Sequence, residues 1–398
     1  MASFAHIPLV ARMELDILIV GAGLAGGSLA CALAASPLRI GMLETRAPRR
    51  PEGWDARVYA VSPTNVEFLN RIRAWPHLDH DRIGRVEQMQ VFGDDGGELG
   101  FSAYDAGLDA LAWILEASPL ACELWETLRR QPNLTLLCPA RPAALSIEAD
   151  AATVTLEDGR QIRARLIVAA DGADSWVRAA AQLAVHTTAY GELGVVANFG
   201  CELPHRDTAF QWFRDDGILA WLPLPENRIS IVWSTPEAHA RDLLAMPGEA
   251  FCEKVAAAGK HRLGKLTLLT PPAGFPLRLM QVPQVVAPRV ALIGDAAHAI
   301  HPLSGHGINL GFQDARVLAD LLCALPSHRD CGELVTLRRY ARARNEEVRL
   351  MQGVTHALNR LFRPRNPLLV ALRNRGMQLT DHIPLVRSAL VRYAAGLI

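Results

Sequence analysis

Three glycine-rich stretches, far apart in the chain, carry residues suited to a phosphorylated, hydroxylated cofactor. The first is Gly21-Ala22-Gly23-Leu24-Ala25-Gly26, placed between a short apolar run and a run of small residues. In that setting Gly21 makes a tight turn, Gly23 lets the backbone approach a pyrophosphate, and Gly26 permits close helix–strand packing. The N–H groups opening the next helix favour phosphate charge, and Glu44, ending the next apolar run, can accept hydrogen bonds from ribose hydroxyls. The second stretch, Ala170-Asp171-Gly172-Ala173-Asp174-Ser175, breaks a buried run at Asp171. It suits a cofactor contact, and equally a plain strand–turn–helix capped by Asp174 or Ser175. The third runs from Gly294-Asp295-Ala296-Ala297-His298 to His301-Pro302-Leu303-Ser304-Gly305-His306-Gly307-Ile308-Asn309-Leu310-Gly311. Asp295 falls at the carboxyl end of an expected strand, where α/β proteins place ligands. The Gly305–Gly307 turn opens a long helix whose N–H groups would stabilise negative charge on a ring set against them. Neither spacing nor partners support a metal site at the Asp–His pair.

The elements that must position these residues follow from the apolar pattern. Short runs rich in Ile, Leu and Val predict buried strands at 14–20 and 38–43 around a helix at 27–35, a βαβ unit. Further strands are expected at 134–138, 153–156, 161–163, 166–169 and 289–293, and a helix at 307–325. Between about 185 and 270 the runs become short and turn-separated, which predicts a second, largely antiparallel sheet that 86–92 joins. The expected organisation is α/β. A discontinuous dinucleotide-binding domain covers 1–75, 101–184 and 278–335, a second domain covers 76–100 and 185–277, and a helical region covers 336–398.

Composition narrows the function classes. The 398 residues are 50% hydrophobic and 21% charged, as in an ordinary globular protein, and the formal net charge of zero gives no field that would favour nucleic acid. Seven scattered cysteines, none in a C-x-x-C pair, predict reduced thiols in the cytoplasm and argue against a disulfide reductase. Residues 1–10 lack the basic region of a secretory leader, and no apolar stretch approaches a membrane span of ~18 residues. From Cys331 onward there are twelve Arg and no Lys against four acids.

The order and spacing of the three stretches point to FAD, and together they resemble the class A flavoprotein monooxygenases. The resemblance to their ubiquinone-biosynthesis hydroxylase branch runs over nearly the whole chain. Asp55-Ala56-Arg57-Val58-Tyr59-Ala60-Val61-Ser62, the segment 101–116, Thr208-Ala209-Phe210 and Ala220-Trp221-Leu222-Pro223-Leu224 carry it. Tyr340, Arg344, Phe362, Arg373, Gly376, Pro384 and Ala394-Ala395-Gly396 match C-terminal landmarks of lower specificity. The resemblance implies a Rossmann-like FAD-binding domain with an inserted, mainly antiparallel substrate sheet and a C-terminal helical segment. It implies FAD, O2, and either transiently bound NAD(P)H or a protein electron donor. The implied activity is ring hydroxylation of a polyprenylated phenol or quinol through a flavin C4a-hydroperoxide.

FAD would be held by Gly21, Gly23, Gly26, Glu44, Arg57, Asp171, Gly294, Asp295, Pro302, Gly305, Gly307, Ile308 and Asn309. His306 and Gly307 beside the ring, with Trp221 and Pro223 over it, form the implied catalytic set; Trp221 also suits a plain core position. His306 stands where the branch usually has Gln, as a polar swap or as an influence on proton transfer. Ala117 and Ser118 replace an amide and a basic residue. A prenyl tail stays in the bilayer, so the Arg-rich C-terminus would make transient contact with the inner membrane surface or dock on other ubiquinone-biosynthesis proteins. Two other functions fit the same motifs: hydroxylation of a soluble phenol, and a non-catalytic FAD-binding subunit.

Overall fold

The computed structural model describes residues 12–94, 96–300, 307–362, 374 and 391. Among them run eight α-helices: α1 (Leu24–Ala32), α2 (Pro63–Arg71), α3 (Ala117–Arg129), α4 (Trp176–Ala180), α5 (Glu237–Ala245), α6 (Gly248–Ala258), α7 (Gly307–Cys323) and α8 (Leu334–Phe362). The expected βαβ unit is the strand Arg12–Val20, α1 and the strand Ile40–Leu43. Its strands pair in parallel, flanked by Gln161–Ala169 on one side and Leu134–Leu137 on the other; Val290–Leu292 extends the parallel order beyond Gln161–Ala169. Residues expected as two strands at 161–163 and 166–169 form one continuous strand, because Ala164 and Leu166 keep the buried alternation going.

Side chains alternate across this sheet, and the two faces bury different cores. Ile17 and Ile19 pack with α1, α2, α3 and α7 on one face. Leu18 and Val20 pack on the other against Val177 of α4 and the hairpin formed by Pro142–Ile147 and Ala152–Leu156.

The second sheet is antiparallel except where Thr208–Arg214 runs parallel to Gln88–Phe92. Its longest strand, His186–Cys201, pairs on one side with Ala273–Gln281 and on the other with Arg228–Pro236, beyond which lie Gly217–Leu224 and Thr208–Arg214. Helices α5 and α6, in a stretch that reads as β-rich, cover one of its faces through Ala240, Leu243, Phe251 and Val255. A third sheet, not expected from the sequence, sets Ala112–Glu116 between Val58–Val61 and Gly84–Val86.

Candidate active site

The ends of the parallel strands gather the three glycine-rich stretches at one edge. Gly21 N–H donates to Leu43 O at 2.8 Å, Ala170 N–H to Val20 O at 2.8 Å, and Ile293 N–H to Ala169 O at 3.0 Å. The stretches touch each other directly. Gly21 adopts φ +102°, and a Cβ there would lie 2.4 Å from Ala170 O. A Cβ on Gly26 would lie 2.1 Å from Gly21 O, and one on Gly294 would lie 3.0 Å from the Ala25 Cβ. Gly23 differs: a Cβ there would meet nothing within 4 Å, so its side of the turn is open.

Carboxylates surround this open turn. Glu44 is fixed by Ala22 N–H at 2.8 Å on Oε2 and by Thr45 N–H at 2.7 Å on Oε1. Asp171 Oδ2 accepts from Val177 N–H at 3.1 Å, while its Oδ1 is buried with no hydrogen-bond partner among the described residues. Ser175, one of the two expected caps, does cap α4, accepting from Arg178 N–H at 3.0 Å. Asp295 is exposed between buried neighbours. An open backbone turn, a fixed carboxylate beneath it and an unpartnered carboxylate oxygen beside it fit a ligand rich in phosphate and hydroxyl groups.

Arg57 lies beside the same edge, its guanidinium 5.3 Å from the centre of the Tyr59 ring and 6.0 Å from that of Phe275. Burial pushes the Tyr59 phenol above its ordinary value against the opposing charge of Arg57, with Asp295 and Asp55 adding to the rise. Gly307 and Ile308 open α7. The Asn309 side chain serves protein groups: its amide donates to Ala60 O at 2.8 Å, and its oxygen accepts from Ser62 N–H at 3.0 Å and Asn65 Nδ2 at 2.9 Å. It therefore clamps the first turn of α7 to the Val58–Val61 strand and α2. Pro302, Gly305 and His306 lie outside the described residues.

Trp221 and Pro223 are not brought to this edge. Cross-strand partners share a face, and Trp221 pairs with Ile231, which pairs with Ala197. All three lie in the core beneath α5 and α6, where Trp221 is fully buried and packs 4.9 Å from the Trp212 ring centre. Pro223 pairs with Ile229 of the same core. The opposite face, one residue along, meets the third sheet and the segment leading to Arg57: Leu222 packs on the cluster of Val86 and Ile114, and Asn198 Nδ2 donates to Asp55 O at 2.9 Å. Its row runs through Ser230 and Leu222, so Leu222 takes the side expected for Trp221.

Several residues the motifs do not reveal support the site. Buried Arg178 donates to Ala296 O at 2.9 Å and Ala173 O at 2.7 Å, tying the second stretch to the third. Asp314 accepts from Gly294 N–H at 2.9 Å, His298 Nε2 at 2.6 Å and Arg344 Nε at 2.7 Å. The one sequence signal for it is an acid between Phe312 and Ala315 in the expected helix 307–325.

A family model described as FAD binding domain matches residues 137–350. The chain is 34% identical to ubiquinone hydroxylase UbiL of Rhodospirillum rubrum, over 96% of this chain and 89% of that one. It is 32% identical to 3-demethoxyubiquinol 3-hydroxylase of Escherichia coli, over 96% and 98%. The chain belongs to the FAD-dependent monooxygenases, in their ubiquinone-biosynthesis hydroxylase branch. As a member of that family it is an FAD-dependent aromatic hydroxylase, and O2 with an NAD(P)H reductant is typical of the family. The fold agrees with p-nitrophenol 4-monooxygenase PnpA of Pseudomonas putida DLL-E4, at a TM-score of 0.80 and 19% identity over 97% of this chain and 98% of that one.

Proposed function

We propose that this monooxygenase hydroxylates the ring of a polyprenylated phenol or quinol in ubiquinone biosynthesis. The observation that carries the substrate class is the face of the second sheet opposite α5 and α6, which the third sheet covers in part. Phe101, Met89, Ala209 and Leu222 follow one another across it, ahead of Ser230 and Asn198. An apolar strip with a polar end suits a ring bearing hydroxyl groups and a long hydrocarbon substituent.

In this reading Gly21, Gly23, Gly26, Glu44, Arg57, Asp171, Gly294 and Asp295 hold FAD, with Gly307, Ile308 and Asn309 at its ring end. Pro302, Gly305 and His306 belong to the same set by sequence position. FAD, once bound and reduced, supplies the electrons that activate O2. The protein positions the ring, presents the positive end of α7 to developing negative charge, and keeps water from the reactive centre. Strands Glu98–Ser102 and Ala273–Gln281 belong whole to the second sheet, so in this reading 1–75, 103–184 and 282–335 serve FAD, and 76–102 with 185–281 serve the substrate.

No helix among the described residues is long and apolar enough to cross a membrane. For a lipid-borne substrate, α8 would make surface contact: Leu350 and Val354 are exposed beside exposed Arg349. Quinone profiling of a deletion strain tests the reading. Accumulation of an intermediate lacking one oxygen is expected, and an unchanged quinone pool would overturn it. In parallel, the purified protein should float with anionic liposomes; equal behaviour with neutral ones removes the charge-driven contact.

A further inference from the structure

Asp314 is fully buried on α7, and its carboxylate joins three separate parts of the chain. Oδ2 accepts from the Gly294 N–H, 20 residues earlier, and from His298 Nε2, 16 residues earlier. Oδ1 accepts from Arg344 Nε on α8, 30 residues later. Arg344, itself buried, spreads its remaining donors over Gln313 Oε1 at 3.1 Å, Leu310 O at 3.4 Å and the Glu347 carboxylate. Two residues beyond Leu292 O, which receives the Tyr340 hydroxyl at 2.9 Å, the same turn presents Gly294 to Asp314. Burial works against the charged form of Asp314, but the charges and hydrogen bonds of His298 and Arg344 outweigh it and hold the carboxyl below its ordinary range.

Such a cluster is a costly way to gain stability, since apolar residues of similar volume commonly do as well. Its geometry has another consequence. Asp314 lies two turns, ~10 Å, along α7 from Gly307 and on nearly the same helix face. Gly311, between them on that face, would carry its Cβ 3.5 Å from Gly294 Cα and 3.4 Å from the Ala25 Cβ. Asp314 thus fixes both the rise and the roll of α7 against the turn that holds Asp295. His298 extends the grip to the strand His298–Ala299, which crosses into the second sheet by pairing with Ala273–Gln281.

We infer that Asp314, held by His298 and Arg344, is the positioning residue that sets the Gly294–Asp295 turn and the α7 N-terminus in register around the flavin, so that α8 acts on the flavin from behind. The inference rests on the FAD-monooxygenase reading. Asp314 touches neither cofactor nor substrate in this role.

The test compares the purified full-length parent with Asp314→Asn, Arg344→Lys and, as a control for stability alone, Leu243→Ala in the core beneath α5. FAD affinity, the visible spectrum of bound flavin and its reduction potential are measured on each. Asp314→Asn should weaken FAD binding at least tenfold, shift the flavin bands and make the potential more negative, because the positive helix end no longer sits squarely against the ring. Arg344→Lys keeps the charge but loses the fork to Gln313 and Leu310, and should give a smaller change in the same direction. It also keeps the inference testable if Asp314→Asn does not fold. Leu243→Ala should lower the melting temperature without moving spectrum or potential. A parent that binds FAD beside variants with its affinity, spectrum and potential overturns the positioning role. A parent that takes up no FAD overturns instead the oxygenase reading on which it rests.

Discussion

A methyl group added at Gly23 would meet no heavy atom within 4 Å, whereas one at Gly26 would lie 2.1 Å from the Gly21 carbonyl oxygen. The two substitutions should therefore separate binding from folding. Gly23→Ala should leave stability within about 0.5 kcal/mol of the parent, as at other open positions, while weakening FAD about tenfold by crowding the pyrophosphate side of the turn, which is about 1.4 kcal/mol. Gly26→Ala should cost about 1–3 kcal/mol by overpacking α1 against the turn. Thermal melts of the apoprotein paired with FAD titrations check both, and equal effects of the two changes on either measure would refute the distinction. The roles of such glycines are legible in sequence because the turn, the close approach and the helix start all lie within six residues. Trp221 is the opposite case. Its face depends on strand register, and a one-residue difference moves a side chain from one side of the sheet to the other.

At the scale of elements, the start of α3 is organised from a distance. Glu116, the residue before the helix, makes no cap of its own. Asp55 supplies it instead: Oδ2 accepts from Ser118 N–H at 3.0 Å and Ser118 Oγ at 2.5 Å. Glu116 in turn accepts from Asp55 N–H at 2.5 Å and holds Arg82 by two bonds of 2.7 and 2.9 Å. The Glu116 side chain is 1% exposed and that of Arg82 33%. Breaking a fully buried pair costs about 3–5 kcal/mol, and Arg82's access to water puts Glu116→Gln nearer ~2 kcal/mol. Denaturant unfolding measures this, and a double-mutant cycle with Arg82→Met should recover part of the loss; strict additivity would show that the pair is not coupled. FAD affinity should fall as well, because Arg57 is strung on the same frame, its N–H donating to Asp55 Oδ1 and its carbonyl accepting from Ala117 N–H. The sequence pattern singles out Arg57 but not this frame, whose long-range partners lie 34 to 63 residues apart. Helices α5 and α6 escape it for a related reason: their apolar faces are brief, and only the second sheet beneath them gives those faces something to cover.

For the whole molecule, the question is whether the two large sheets respond to FAD together. Three described connections argue that they do. Asn198 of the second sheet donates to Asp55 O, inside the frame that carries Arg57. The strand His298–Ala299 leaves the third glycine-rich stretch to pair with Met280 and Gln281. Gln352 of α8 donates to Met280 O at 2.9 Å, so the helix that reaches Asp314 through Arg344 also grips the second sheet. Melting one sheet alone would therefore leave groups still buried in the other without their hydrogen-bond partners, a cost that disfavours separate unfolding. Calorimetry should show one unfolding transition, and FAD at a hundred times its Kd should raise the stability of that whole transition by about 2.7 kcal/mol. Asn198→Ala leaves the Asp55 carbonyl without its partner, a loss of about 1–3 kcal/mol, and should begin to split the transition if this contact carries much of the coupling. Two transitions in the parent, with only one displaced by FAD, would show instead that the second sheet folds without regard to the cofactor. The three connections would then align the substrate face without transmitting occupancy of the FAD site to it.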